Sequence, residues 1–167
     1  MTAAPRSFEV GQQTERDYRR PLGRFGTGVT VVTAADADGP VGITANSFSS
    51  VSLDPPLVLW SMARSSRRYP RFAGARHMAI HVLGAAQESV AHDFARSVAA
   101  FDRVAWAPGI GGVPLIEGCL ARFECEAYQT HEGGDHVIHV LRVLRASVAE
   151  GAPLMVFGGT YGGFVAG

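Results

Sequence analysis

Between residues 27 and 60, three strand-like runs follow one another with only turn clusters between them. TGVTVVTAA (27–35) is β-branched, DADGP (36–40) reverses the chain, and VGITANSF (41–48) continues as a second run, so residues 27–48 read as a β-hairpin. Asp54-Pro55-Pro56 is expected to interrupt pairing, with Leu57, Val58, Leu59 and Trp60 forming a short buried strand beyond it. Links this short cannot carry a crossover between parallel strands, which takes about a dozen residues or more. The sheet should therefore be antiparallel, and a doubly wound α/β sheet fits poorly.

The remainder of the chain extends this pattern. Residues 15–25 suggest a short amphipathic helix disrupted near Pro21 and Gly23. SSRRYPRFAG reads as a turn and a brief helix, with Ser65 or Ser66 as its N-cap. HMAIHVL (77–83) is a strand, and in AQESVAHDFA the residues Val90, Ala91 and Phe94 share one helical face. The glycine-rich stretch APGIGGVPLIEG reads as a connector. After it, Leu120, Ala121, Phe123, Cys125 and Ala127 alternate as a strand with one polar face. A turn over residues 132–135 leads into VIHVLRVLRASVA, a second long strand, and a short strand with a glycine-rich tail closes the sequence. Six or seven short strands with small helices between them predict a mainly β fold, an antiparallel barrel with inserted helices. The expected organisation is an N-terminal tail over residues 1–14 and one domain over 15–167.

Composition narrows the chemistry. Fifteen basic residues balance fifteen acidic ones, without the excess expected of a protein held on nucleic acid or anionic lipid. All fifteen basic residues are Arg; with no Lys, Schiff-base chemistry and the phosphate-loop lysine are both excluded. The N-terminal twenty residues hold no apolar stretch of signal-peptide length, and no run of eighteen apolar residues occurs, so a cytoplasmic protein with no membrane partner is expected. Cys119 and Cys125 stand six apart in a strand-like segment, roughly 20 Å if extended, too far for a disulfide, and read as two buried thiols.

Three segments could carry chemistry. In residues 44–52, six of nine side chains bear a hydroxyl or an amide, between two apolar strands. Such short neutral donors and acceptors suit the edge of a planar heteroaromatic ring, and equally suit a solvated strand-to-loop transition. Residues 64–68, with two serines among three arginines, could cradle a phosphate or form a solvated basic turn. Residues 131–136 place Asp135 directly before His136 after two glycines, as an active-site loop or a surface hairpin would. Cys119, Cys125, His131 and His136 are spaced too widely for a metal site. His77 and His81 lie roughly 13 Å apart along a strand, which points to a core or edge role. Neither a Gly-x-Ser-x-Gly elbow nor a dinucleotide fingerprint of glycines is present.

Taken in order, FGTGVTVVT (25–33), GITANSFSSVSLDPPLV (42–58) and GDH (134–136) resemble the short-chain NAD(P)H:flavin oxidoreductases, which supply reduced flavin to two-component monooxygenases. The resemblance runs from about residue 18 to 161, and the central motif fixes a dozen or more positions in unbroken register.

The resemblance implies a split β-barrel of the FMN-binding type, usually a homodimer, holding FMN or FAD near the subunit interface, with NADH or NADPH as donor and a flavin-dependent monooxygenase as partner. By position it puts Thr44, Ala45, Asn46, Ser47, Phe48, Ser49 and Ser50 around the flavin ring and ribityl chain, with Ser61 at the end of the next strand. Ser65 and Ser66 fall at the phosphate end, and Phe94 and Ala95 on a helix closing over the flavin. The nicotinamide docks at the Gly134, Asp135, His136 loop, which makes His136 the expected catalytic-site residue with Asp135 and Tyr161 near it. His81 stands where relatives more often carry Asn, and Trp60 adds bulk beside Ser61. A non-catalytic flavin-binding barrel and a split-barrel oxidase acting directly on an organic compound are the alternative readings.

Overall fold

A computed structural model describes residues 7–165; residues 1–6 of the expected N-terminal tail lie outside the described residues. A 3₁₀ turn (Gln12–Thr14) leads into helix α1 (Glu15–Leu22). Strands β1 (Thr27–Gly28), β2 (Thr30–Asp36), β3 (Gly39–Ala45), β4 (Ser49–Leu53) and β5 (Pro56–Ala63) follow, then helix α2 (Tyr69–Ala73) and β6 (His77–Val82). Helix α3 (Glu88–Arg96) precedes a small hairpin, β7 (Trp106–Pro108) and β8 (Pro114–Ile116). The long strands β9 (Ala121–Gly133) and β10 (His136–Val148) come next, and β11 (Met155–Phe157) and β12 (Thr160–Gly162) end the order.

The principal sheet has the order β3-β2-β6-β9-β10-β5-β4, antiparallel throughout. Its two edge strands, β3 and β4, are consecutive in the chain and only residues 46–48 separate them. Three residues span little more than 10 Å even when extended, so the sheet must curl until its edges nearly meet. The result is an open barrel with a seam between β3 and β5. One side chain bridges the seam: Ser47 Oγ donates to Ser61 C=O (3.0 Å) and accepts from Ser61 N–H (2.9 Å). Ser47 and Ser61 stand where the next rung after Ser49↔Leu59 would fall, so a hydroxyl takes the place of a backbone pair.

Strand β2 explains why its run is β-branched without alternation. Val31 and Val32 are both wholly buried, because one face of β2 looks into the barrel and the other carries α3. The barrel interior gathers Val32, Val41, Trp60, Phe72, Ile80 and Leu141; the outer layer gathers Val31, Leu83, Ala91, Phe94 and Leu154. Helix α3 sits so close to β3 that a Cβ on Gly42 would fall 2.5 Å from the Phe94 ring. Gly42 is the condition for that docking. The two departures noted in the sequence are also core residues. Trp60 stacks on His139 at 5.2 Å and meets Phe72 edge-on. His81 links β2 to β8: its Nδ1 lies 3.0 Å from Val31 O, and its Nε2 accepts from Ile116 N–H at 3.1 Å.

Several local expectations are corrected. Asp54 and Pro55 do not interrupt pairing; they form the turn of a β4–β5 hairpin in which Leu53 faces Pro56, and β5 runs on to Ala63. Neither Ser65 nor Ser66 caps α2, which starts at Tyr69, although Ser66 Oγ accepts from Arg68 N–H at 3.3 Å. The glycine-rich connector contains the β7–β8 hairpin, whose second strand is buried. That hairpin covers the polar face expected of β9: Glu124 is buried, pairs with Arg145 at 2.5 Å and accepts from Ile110 N–H at 2.9 Å. Cys125 is buried and its thiol is pushed up to about 12 by desolvation, whereas Cys119 precedes β9 and is only half-buried. Among the described residues no helix is long and apolar enough to cross a membrane.

Candidate active site

The seam concentrates unsatisfied polarity. Residues 46–48 belong to no strand, and their backbone N–H groups donate to nothing among the described residues. Elsewhere the barrel wall spends its amides on ladder bonds. Ser47 is held by its clasp to Ser61, and Thr44 Oγ1 donates to Ala91 C=O at 2.6 Å, which ties β3 to α3. The loop is thus held at both ends with its donors exposed.

Three cavities meet at this loop, and Asn46 lines all of them. The first, about 250 Å³, follows the seam and is lined by Thr44, Ala45, Ser47, Trp60, Ser61, Ser66 and His136. The second, about 240 Å³, lies between Thr44, Ala45, Ala95 and Tyr161. The third, about 720 Å³, opens past Asp135 and His136 toward α1. His136 is therefore at the junction of the first cavity with the third. It starts β10 opposite Ala63 and Gly133, directly after the turn in which Gly134 takes a φ of +72°, open to glycine at no steric cost.

His136 Nδ1 lies 2.8 Å from Asp135 Oδ1. That hydrogen bond, first among several causes, holds the Asp135 carboxyl below the usual carboxylate range; the Arg19 guanidinium adds a smaller pull in the same direction. An ionised Asp135 accepts, so Nδ1 carries the proton and Nε2 is left without a partner among the described residues. The imidazole is oriented, half-exposed and available.

The expected residues divide sharply. Thr44, Ala45, Asn46, Ser47, Ser61, Ser66 and His136 come together along the seam, with Ala95 and Tyr161 on the adjoining wall and Asp135 beside His136. Others stand apart. Phe94, three residues on from Ala91, is on the inner face of α3, 1% exposed and edge-on to Phe101. Phe48 stacks on Phe123 at 5.5 Å and packs on the barrel core. Ser49 and Ser50 are exposed residues of β4, paired with Leu59 and Val58, and Ser65 is an exposed turn residue.

Arg68 was not singled out by sequence. Its Nη1 donates to Phe94 C=O at 2.8 Å, which ties it to the C-terminal turn of α3. It is half-buried, its pKa lowered by desolvation, and it pairs with no carboxylate among the described residues. Arg64, by contrast, is taken by Glu132. A half-buried guanidinium without a counter-ion is a site for an anion. The free amides and clasped hydroxyls along the seam suit the edge of a planar ring, and Arg68, two residues on from the cavity-lining Ser66, offers a cation to a phosphorylated side chain.

The chain is 53% identical over 157 residues to the FMN reductase (NADH) of Agrobacterium fabrum, covering 94% of this chain and 90% of that one. It is 45% identical over 148 residues to the reductase component of the flavin-dependent trigonelline monooxygenase of Acinetobacter baylyi, where 87% of this chain matches 48% of that longer protein. The solved NADH:FAD oxidoreductase of Streptomyces globisporus, in complex with NAD and FAD fragments, superposes with a TM-score of 0.86 at 40% identity, over 95% of this chain and 98% of that one. Residues 22–164 match the flavin reductase like domain, and the chain belongs to that family.

Proposed function

We propose that the protein is an NADH-dependent flavin reductase that passes reduced FMN or FAD to a separate monooxygenase. One observation carries the reading: His136 stands where the seam cavity, with its free amides, joins a larger cavity, so a ring in the seam and a second ring at His136 come into contact. A flavin bound there accepts a hydride from the dihydronicotinamide. The work of this chain is placement. The N–H groups of residues 46–48 hold the ring edge and are positioned to stabilise negative charge that develops on it. Arg68, with Ser66, holds the phosphate. His136, fixed by Asp135, positions the nicotinamide.

The partner and the assembly are part of the same reading. Relatives named as reductase components of flavin-dependent monooxygenases support a partner that takes diffusible reduced flavin. A homodimer is supported by β4, an open edge strand with Val51 and Leu53 exposed. Two unpaired thiols fit a reducing compartment such as the cytoplasm, and a single principal sheet supports one domain over residues 15–167.

The test mixes purified protein, NADH and added FMN or FAD and follows nicotinamide absorbance with and without air. Rapid flavin-dependent turnover in both conditions is the expected result. Tight flavin without turnover would make the protein a binding module, and turnover only with a further organic compound would make it an oxidase. Light scattering checks the dimer.

A further inference from the structure

Placing two rings at His136 leaves most of the third cavity, the largest of the three, without a role. Its far wall is α1, and α1 contributes nothing to the core: none of its residues is buried. The helix is nonetheless pinned. Gly158 N–H donates to Gly23 C=O at 2.8 Å, and the two backbones approach so closely that a Cβ on Gly23 would stand 3.4 Å from Gly158 Cα. Glu15, Tyr18, Arg19 and Leu22 all line the cavity, at the i, i+3, i+4, i+7 spacing of a single helical face. A helix that buries nothing but turns one face to a cavity beside the reacting position has its role in that cavity.

The chemistry of the face is specific. Arg19 is the one guanidinium in this wall among the described residues; it pairs with Glu15 at 3.0 Å and lies within electrostatic reach of Asp135 across the cavity. Tyr18 and Leu22, 41% and 54% exposed, offer a flat apolar surface. A diphosphate is met by a guanidinium, a purine by an aromatic and aliphatic surface, and a ribose diol by a carboxylate. All three stand along one helix, reached from His136 without leaving the cavity. We propose that the Glu15, Tyr18, Arg19, Leu22 face of α1 holds the adenosine diphosphate half of the reduced dinucleotide. Arg19 takes the diphosphate, and Glu15 sets the preference for a 2′-hydroxyl over a 2′-phosphate.

The preference follows from charge. The wall holds two carboxylates, Glu15 and Asp135, against one guanidinium. With Arg19 on the diphosphate, a 2′-phosphate carrying about −1.5 to −2 charge would face Glu15, and this wall offers no second cation among the described residues.

This inference rests on the reading that NADH reduces flavin here, and the experiment separates the two. The donors are NADH and reduced nicotinamide riboside, which shares the reacting ring and has no phosphate. For Arg19→Gln, kcat/KM with NADH divided by kcat/KM with the riboside should fall by about tenfold or more, the size of one charge-assisted hydrogen bond. The loss should appear in KM, and Arg19→Lys should recover part of it. For Glu15→Gln, the ratio of NADPH to NADH efficiency should rise by about tenfold. Equal losses with both donors would mean that Arg19 acts only through Asp135 and His136, and would overturn the proposal. So would an unchanged ratio, or a change in oligomeric state showing that a second copy covers this face. Failure of the underlying reading looks different: the wild-type protein would not oxidise NADH with flavin at all.

Discussion

Two histidines in this barrel use the same atoms to opposite ends. His81, in the wall between β2 and β8, is wholly buried with both ring nitrogens engaged, Nδ1 at Val31 O and Nε2 at Ile116 N–H. His136, at the mouth of β10, is held through Nδ1 by Asp135 and keeps Nε2 toward a cavity. A histidine whose hydrogen-bonding capacity is spent inside the wall belongs to the fold. One whose capacity is half spent beside a cavity is the one proposed for the chemistry. Stability and turnover should therefore separate cleanly between the two.

The largest effect is expected at His81. Replacing it with Ala opens a cavity in the core and strips a buried N–H and a buried C=O of their partner, which should cost about 3–5 kcal/mol of unfolding free energy. Denaturant titration reads the loss, while turnover per folded molecule should change little. If turnover fell further than the folded fraction, the division between the two histidines would be wrong. The same residue imposes a pH dependence. Burial lowers its pKa from 6.5 to about 4. A histidine held neutral in the folded state contributes stability that is whole above its unfolded pKa, so the contribution is lost as the pH falls from about 6.5 to about 4. Over that window it amounts to roughly 3 kcal/mol. His81→Asn, which keeps a donor and an acceptor, should flatten the acid limb of the stability curve; an unaltered limb would assign the acid sensitivity to other groups.

At His136 the expectation is reversed. His136→Ala should reduce flavin-dependent NADH oxidation by about 10² to 10³-fold, roughly 3–4 kcal/mol of barrier at most. Flavin affinity and melting temperature should stay close to wild type. Equal rates in both proteins would remove the role assigned to the imidazole, and a lost melting transition would make His136 a second His81.

How much of this could be read from the sequence follows from where each signal resides. The wall was legible: β-branched runs, turn clusters and the 44–50 segment are local patterns, and they fell on β2, β3 and the seam loop. The resemblance carried residue types to positions, but not which way each side chain points. Ser49 and Ser50 share the motif with Ser47, yet they fall on β4 while Ser47 is taken by the clasp to Ser61. Phe94 and Ala95 are neighbours in sequence but point about 100° apart around α3, one into the core and one at a cavity. Glu124 falls on the polar face expected of its strand, and its burial was not legible because the hairpin that covers it comes from a stretch that reads as a connector. Among the arginines of 64–68, composition could not single out the one proposed for the anion; burial and the lack of a carboxylate partner among the described residues did.

That distinction yields the smallest of the expected effects and tests whether the anion end of the site is as specific as the ring end. Arg64 is exposed and paired with Glu132, so Arg64→Gln should leave flavin affinity within about twofold, as surface pairs contribute little. Arg68→Gln keeps a donor for Phe94 C=O but removes the charge. It should weaken FMN by about tenfold, near 1.4 kcal/mol, the lower range for a charged hydrogen bond. Riboflavin carries the same ring without the phosphate, and its affinity should hardly move in either variant. The comparison of the two ligands is what isolates the phosphate. A weakening shared by FMN and riboflavin would mean that Arg68 acts by fixing α3 against the seam, and the anion would have to be held elsewhere.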